Sequence, residues 1–200
     1  MVYCEVTGCI HNQQQIPLSR RPLMTEDQWQ LYGARLTQVA DYCLTQGVQI
    51  AYHHHMGTLI QTTEEIIKLM DSTGASVGLL LDTGHLTYAG GDPLAIIQRF
   101  ANRIVHVHCK DVRLEVLNDA KNRDLSFLDA VLNGVFTVPG DGIINYDSLC
   151  QQLKTADYQG WLVVEAEQDP AIAHPLTYAT LGAKHLRKCA KTAGFHILNH

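Results

Sequence analysis

The chain has 200 residues, of which 46% are hydrophobic and 18% are charged, and its formal net charge is −5. This size and composition are typical of one globular domain with a substantial core. The acidic balance gives no reason to expect a nucleic-acid or anionic-membrane partner, and no apolar run approaches the roughly 20 residues that span a bilayer.

The start of the chain and its cysteines bear on where the protein works. The first residues, MVYCEVTGCIHN, lack the basic and long apolar segments of a signal peptide. The six cysteines are scattered without a C-x-x-C spacing, which is typical of reduced thiols in a cytosol. We therefore expect a cytoplasmic protein without a membrane partner.

The first half of the chain alternates between strand and helix signals. An apolar start, MVYCEV, is followed by a predicted helix from about Thr25, where Gln28 can complete a capping box. Gly47 ends this helix, and VQIAY (48–52) is predicted to be a strand.

The same alternation continues to the end of the chain. Three further strands are predicted at VGLLL (77–81), RIVHV (103–107) and WLVV (161–164). Helices are predicted from the capping box of Thr62, from Asp92-Pro93, over residues 146–155 and over residues 175–193. A longer irregular stretch that contains VPGDG (138–142) separates the third of these helices from the strand at 103–107.

Strands that are apolar on both faces and alternate with helices indicate a parallel sheet covered by helices. About five strand–helix units are predicted, in an α/β fold that forms a single domain over residues 1–200.

Four successive strands end at residues that can bind a metal or transfer a proton. They are followed by His53, His54 and His55, then Asp82 and His85, then His108, Lys110 and Asp111, and finally Glu165 and Glu167. In a parallel α/β barrel these strand ends gather on one face, where active sites lie. A single one of these residues would usually be a turn or cap residue, but their recurrence predicts a site. Two histidines and two carboxylates suit a divalent cation such as Mn, Co, Fe or Zn.

The histidine triplet supplies two side chains to one face. Alternation along a strand directs His53 and His55 to one side and His54 to the other. We expect one ligand and one proton-transfer or substrate-binding group within the inward pair.

The segments AYHHHMGT, LLLDTGHLTYAGGDP, HVHCKDVR, FTVPGDG and GWLVVEAEQDP resemble the inosose dehydratases, within the xylose-isomerase-like TIM barrel superfamily. The resemblance implies a metal held by a Glu, an Asp, a His and a second Glu. Asp82, His108 and Glu165 match the last three positions, and His53 stands where most of the superfamily has Glu. His55 is the alternative first ligand, and His85 matches a substrate-contacting histidine.

The resemblance also implies an eight-stranded barrel, of which this chain is expected to lack the first three strand–helix units. The chain then corresponds to the carboxyl-terminal two-thirds of such an enzyme, and its open sheet edges would favour self-association.

The implied reaction is the dehydration of 2-keto-myo-inositol (scyllo-inosose) to a trihydroxycyclohexane-1,2-dione in inositol catabolism. The resemblance further implies a divalent metal, Mn or Co, with glutathione as an associated cofactor and a polyol ketone as substrate. His55, His85 and Glu167 are the candidates for proton transfer, with the acid and the base not distinguished. Lys110, Asp111 and Arg113 are predicted to bind substrate, although Lys110 can instead form an ion pair with Asp111. The alternatives are a metal-dependent sugar epimerase or isomerase, and an inactive truncated fragment.

Overall fold

A computed structural model gives the structure of the chain and describes residues 1–198. Its strands are β1 (Val2–Tyr3), β2 (Ile50–His53), β3 (Val77–Asp82), β4 (Ile104–Cys109), β5 (Asp111–Val112), β6 (Phe136–Thr137) and β7 (Leu162–Val164). Five of them pair in parallel in the order β1-β2-β3-β4-β7, and β5 pairs antiparallel with β6. The predicted five-stranded parallel sheet is therefore confirmed.

Helices connect the parallel strands. They are α1 (Glu26–Thr45), α2 (Thr63–Ser72), α3 (Thr83–Tyr88), α4 (Pro93–Phe100), α5 (Leu114–Asn122), α6 (Phe127–Leu132), α7 (Tyr146–Thr155) and α8 (Pro175–Thr192). Two short 3-10 helices cover Leu18–Arg20 and Ala101–Arg103. The five strands of the parallel sheet are thus separated by helices, as predicted from the sequence.

Local capping explains where several helices begin. The Thr62 hydroxyl accepts the Glu65 backbone N–H, and the Glu65 carboxylate accepts the Thr62 N–H, which forms the predicted capping box. Asp92 accepts the Leu94 N–H ahead of Pro93 at the start of α4. Both helix starts agree with the predictions.

Two predictions differ from the structure. The apolar start MVYCEV contributes only Val2–Tyr3 to the sheet, because the chain turns at Thr7 and Gly8 and then runs irregularly towards α1. The stretch between β4 and α7, predicted to be irregular, contains α5, α6 and the β5–β6 pair, with its own small core around Val112, Phe127 and Phe136.

The two faces of the parallel sheet have different roles. Tyr52, Leu79, Leu81 and Val107 lie in one apolar core with residues from α1, α2, α4, α7 and α8. Because side chains alternate along a strand, His53, Asp82 and other residues between these positions point to the opposite face. The helices therefore pack behind the sheet, and the candidate functional residues lie in front of it.

The sheet is open within residues 1–198, since β1 pairs only with β2 and β7 only with β4. Within the same part of the chain, no helix is long and apolar enough to cross a membrane.

Candidate metal centre and active site

The ends of β2, β3, β4 and β7 bring four predicted metal ligands into one group. Strand register places Asp82 beside His108, and His108 beside Val163, two residues before Glu165. Asp82 Oδ2 lies 3.4 Å from His53 Nε2 and 3.5 Å from His108 Nδ1. His108 Nδ1 in turn lies 2.9 Å from Glu165 Oε2. These four ligand-type atoms form a continuous chain of close contacts on the face opposite the helices.

Apart from the His108–Glu165 contact, the separations in this group are long for hydrogen bonds. His108 Nδ1 and Glu165 Oε2 are buried and, although close, form no regular hydrogen bond. Their other close contacts are with Asp82 Oδ2 at 3.5 Å and with Lys110 Nζ at 3.2 Å, respectively. Two ligands at ~2.0–2.2 Å from one ion with tetrahedral angles stand roughly 3.3–3.6 Å apart, close to the separations around Asp82 Oδ2. The donor set and its spacing therefore suit a divalent cation.

Electrostatics keeps the carboxylate of Asp82 ionised and His108 protonated when no cation is bound. Burial favours the neutral acid form of Asp82, but the positive charge of Lys110, together with the contacts of three histidines, outweighs it and holds the pKa of this carboxyl well below its usual range. Burial also opposes a charged His108, yet the Asp82 and Glu165 carboxylates raise its pKa to about 9. Without a cation, His108 therefore carries the positive charge that balances these two carboxylates.

A second group, formed by His55, His85 and Glu167, adjoins the first. Each of the three offers a ligand atom within 4.8 Å of the others, and the His55 and His85 ring centroids are 3.8 Å apart. Burial lowers the pKa of His55 to about 3 and holds the pKa of His85 well below its usual range. Both rings are therefore neutral near pH 7.

The protonated nitrogen of His55 is defined by its surroundings. Its Nδ1 lies 2.8 Å from the Met56 carbonyl oxygen, which can only accept, so Nδ1 carries the hydrogen. Nε2 then keeps its lone pair, and it lies 3.8 Å from Glu167 Oε1. His55 thus presents an unprotonated nitrogen to the site.

Lys110 links the two groups. Its ammonium donates to Glu167 Oε2 at 2.6 Å and to His85 Nε2 at 3.0 Å, and it forms an ion pair with Glu165 Oε2 at 3.2 Å. The alternative that Lys110 pairs with Asp111 is wrong, since its carboxylate partners among the described residues are Asp82, Glu165 and Glu167. Burial opposes the ammonium, but these carboxylates raise its pKa, so Lys110 is a fixed cation.

Glu167 reaches this position through an unusual backbone conformation. Its φ is +44°, in the left-handed region that side chains other than glycine rarely adopt. Such strain persists where the surrounding contacts hold it, and the contacts of Glu167 are with Lys110 and the two histidines. Burial raises the pKa of its carboxyl, and the Lys110 charge opposes that shift.

Asp111 and Arg113 make their contacts in a different place from the other candidate residues. Asp111 is fully buried, and its carboxylate accepts the backbone N–H groups of Gly140 and Ile144. Arg113 donates to Asp141 Oδ2 at 2.7 Å. Both side chains thus hold the VPGDG loop. Their substrate-binding role stays a prediction that these contacts do not favour.

Several residues around the site were not singled out from the sequence. Thr83 Oγ1 and Tyr146 Oη both bond to the Lys110 carbonyl oxygen, at 2.7 and 3.0 Å. His11 lies edge-on to His55 with ring centroids 5.4 Å apart. Tyr146 and His11 are far from the strand ends in sequence, so no local pattern indicates them. Thr83 directly follows Asp82, and that adjacency was the one available signal.

Comparisons with known proteins identify a family and several relatives of this chain. The model of a family described as xylose isomerase-like TIM barrel matches residues 1–189. The rhizopine catabolism protein MocC of Rhizobium meliloti is 51% identical over 197 residues, which cover 98% of this chain and 61% of that protein. An inosose dehydratase of Geobacillus thermodenitrificans is 48% identical over 190 residues, which cover 94% of this chain and 64% of that enzyme.

A solved structure shares the fold at lower identity. The probable 3-DHS dehydratase AsbF of Bacillus anthracis superposes with a TM-score of 0.63 at 19% identity, over 85% of this chain and 59% of that chain. The chain spans about three-fifths of the length of the curated relatives named above.

Proposed function

The chain belongs to the xylose isomerase-like TIM barrel family, and on this basis we propose that it acts in the dehydration of 2-keto-myo-inositol to a trihydroxycyclohexane-1,2-dione in inositol catabolism. The 48% identity to the Geobacillus inosose dehydratase supports the substrate. The observation that carries the chemistry is the adjacency of a candidate cation site to a neutral histidine with a free lone pair. The relatives are longer than this chain, so roles are proposed only for residues that this chain contains.

His53, Asp82, His108 and Glu165 would hold the divalent cation, for which Mn or Co is proposed. When bound, the cation supplies positive charge that stabilises the oxyanion formed as a proton leaves the carbon next to a ketone. Asp82 is placed for this role because one oxygen, Oδ1, accepts the His85 backbone N–H while Oδ2 faces the other ligands.

His55 is proposed as the base. Its Nε2 lone pair is available, and the Glu167 carboxylate 3.8 Å away would stabilise the imidazolium that forms. Glu167 would then receive this proton and pass it to the departing β-hydroxyl group. One proton thus moves from carbon to the hydroxyl, which leaves as water, and no external acid is consumed.

Lys110 is proposed to bind a substrate oxygen. Two of its N–H groups donate to Glu167 and His85, and its next contact is the ion pair with Glu165 Oε2 at 3.2 Å, on the side of the cation site. The ammonium also lies within 3.6 Å of Asp82 Oδ2, on the side of the cation site. A ketone or hydroxyl oxygen between the cation and Lys110 would be positioned by both charges.

A second candidate rests on the slightly higher identity of 51% to the rhizopine catabolism protein. That name specifies a catabolic process and not a reaction. A role in rhizopine catabolism would use the same residues on a related substrate.

The experiment is to incubate the purified chain with scyllo-inosose and Mn²⁺ or Co²⁺ and to analyse the products by mass spectrometry and ultraviolet absorbance. We expect a product that has lost one water, which disappears with a chelator and in the Asp82→Asn variant. A product of unchanged mass would indicate an epimerase or isomerase. Cation binding without any conversion of inosose would contradict the proposed substrate.

A further inference from the structure

A second set of metal-ligating side chains lies next to the proposed cation site. His55, His85 and Glu167 offer two imidazole nitrogens and one carboxylate oxygen within 4.8 Å of one another. Two histidines and one glutamate are a ligand set that zinc-type ions bind readily. The side chains are largely buried, so the set is not an incidental cluster on the surface.

The Lys110 ammonium already lies within this set. Its Nζ is 2.6 Å from Glu167 Oε2 and 3.0 Å from His85 Nε2. These are hydrogen-bond distances, so the ligand atoms that a second ion would need are occupied by a cation that cannot leave. The same ammonium is 3.2 Å from Glu165 Oε2, which belongs to the first site.

The position of Lys110 is rigidly maintained. A side-chain carbon added at Gly84 would lie 2.6 Å from Lys110 Cγ, so the absence of a side chain there makes room for the lysine stem. The Phe136 ring lies 4.9 Å from Nζ. Thr83 and Tyr146 bond to the backbone carbonyl of Lys110. The side chain therefore has little freedom to move aside for an ion.

We propose that the Lys110 ammonium takes the place of a second divalent cation, so that the chain binds one ion at the first site and keeps His55, His85 and Glu167 as a latent second site. That the chain binds one ion at the first site rests on the proposed function. The arrangement provides two positive centres around the substrate with only one exchangeable ion. It also leaves His55 Nε2 free to accept a proton, which a second ion would prevent.

The test measures the number of Co²⁺ ions bound per chain, by calorimetry and visible absorption, in matched variants. We expect one ion in the wild type and in Lys110→Arg, and two in Lys110→Met. The double variant Lys110→Met with Glu167→Gln should return to one. Circular dichroism verifies that each variant is folded.

The outcomes separate this inference from the proposed function. A wild type that binds no ion, with Lys110→Met binding one that Glu167→Gln removes, would support the latent site and contradict the proposed first site. A folded Lys110→Met variant with unchanged stoichiometry would overturn the inference. If Lys110→Met does not fold, the number of ions bound by the wild type is compared with the number bound by the single variant Glu167→Gln. A single ion insensitive to Glu167→Gln supports exclusion by Lys110, and a second ion lost in Glu167→Gln refutes it.

Discussion

Lys110 Nζ lies 3.0 Å from His85 Nε2, and because an ammonium can only donate, this nitrogen of the neutral ring must be the acceptor. The lone pair of His85 that faces the site is therefore occupied, whereas that of His55 is not. This contact distinguishes two histidines that are equivalent candidates in the sequence. It favours His55 as the base and His85 as the residue that orients Lys110.

Replacing His55 and His85 separately should give different losses. In an active assembly, His55→Ala should lower kcat by roughly 10²–10⁴, the usual contribution of a general base. His85→Ala should lower kcat less, and both variants should keep their cation affinity. Steady-state kinetics with parallel calorimetric titration of Mn²⁺ checks this. A His85→Ala variant that lost the cation but kept normal turnover after reconstitution would reverse these roles.

Asp82 has two separable roles, which two substitutions can distinguish. Asp82→Ala should abolish cation binding and also remove the oxygen that accepts the His85 N–H at the start of α3, at a cost of about 0.5–2 kcal/mol in unfolding free energy. Asp82→Asn should lose the cation equally but keep most of the cap. Calorimetry and urea unfolding measure the two effects. Equal stability of the two variants would show that the cap contributes nothing.

Cation binding should depend on the protonation of His108. Since its pKa is raised from 6.5 to about 9, its stabilising contribution without a cation is complete below pH 6.5 and is lost as the pH rises through 9. A cation needs the unprotonated ring, so its affinity should rise roughly tenfold per pH unit across this window. Titrations at several pH values measure the slope. A flat profile would exclude His108 as a ligand.

Asp111 should matter for folding and not for the cation. Asp111→Ala leaves the buried N–H groups of Gly140 and Ile144 without their acceptor and should cost about 1–3 kcal/mol in unfolding free energy. Asp111→Asn, which keeps an acceptor oxygen, should cost less. Urea unfolding and Mn²⁺ titration check both effects. A stable Asp111→Ala variant with weakened inosose binding would instead support its predicted substrate role.

The open edges at β1 and β7 should make the chain associate. Each edge strand has unpaired backbone groups, and Val2 is half-exposed on β1. Size-exclusion chromatography with light scattering should show species larger than a monomer at micromolar concentration. Val2→Lys, a charge of the kind natural proteins place on edge strands, should reduce the association. A monodisperse wild-type monomer that melts cooperatively would contradict this expectation.

The sequence by itself determined the parallel sheet, its five strands and the caps of α2 and α4. These features are local: apolar runs of strand length and capping residues three positions apart carry their own signal. It also determined that His53, Asp82, His108 and Glu165 come together, because the ends of parallel strands must meet on one side of the sheet. The resemblance to the inosose dehydratases arose from the same segments.

Only the tertiary structure decided how the members of the site are connected. Lys110 and Asp111 are adjacent in the sequence, yet Lys110 turns into the cluster and Asp111 into the VPGDG loop, since successive side chains of an extended segment point to opposite sides. The contact between Lys110 and Glu167 joins residues 57 positions apart, and the left-handed backbone of Glu167 has no sequence signal. Such contacts depend on distances and angles across the sheet, which no local pattern of residues contains.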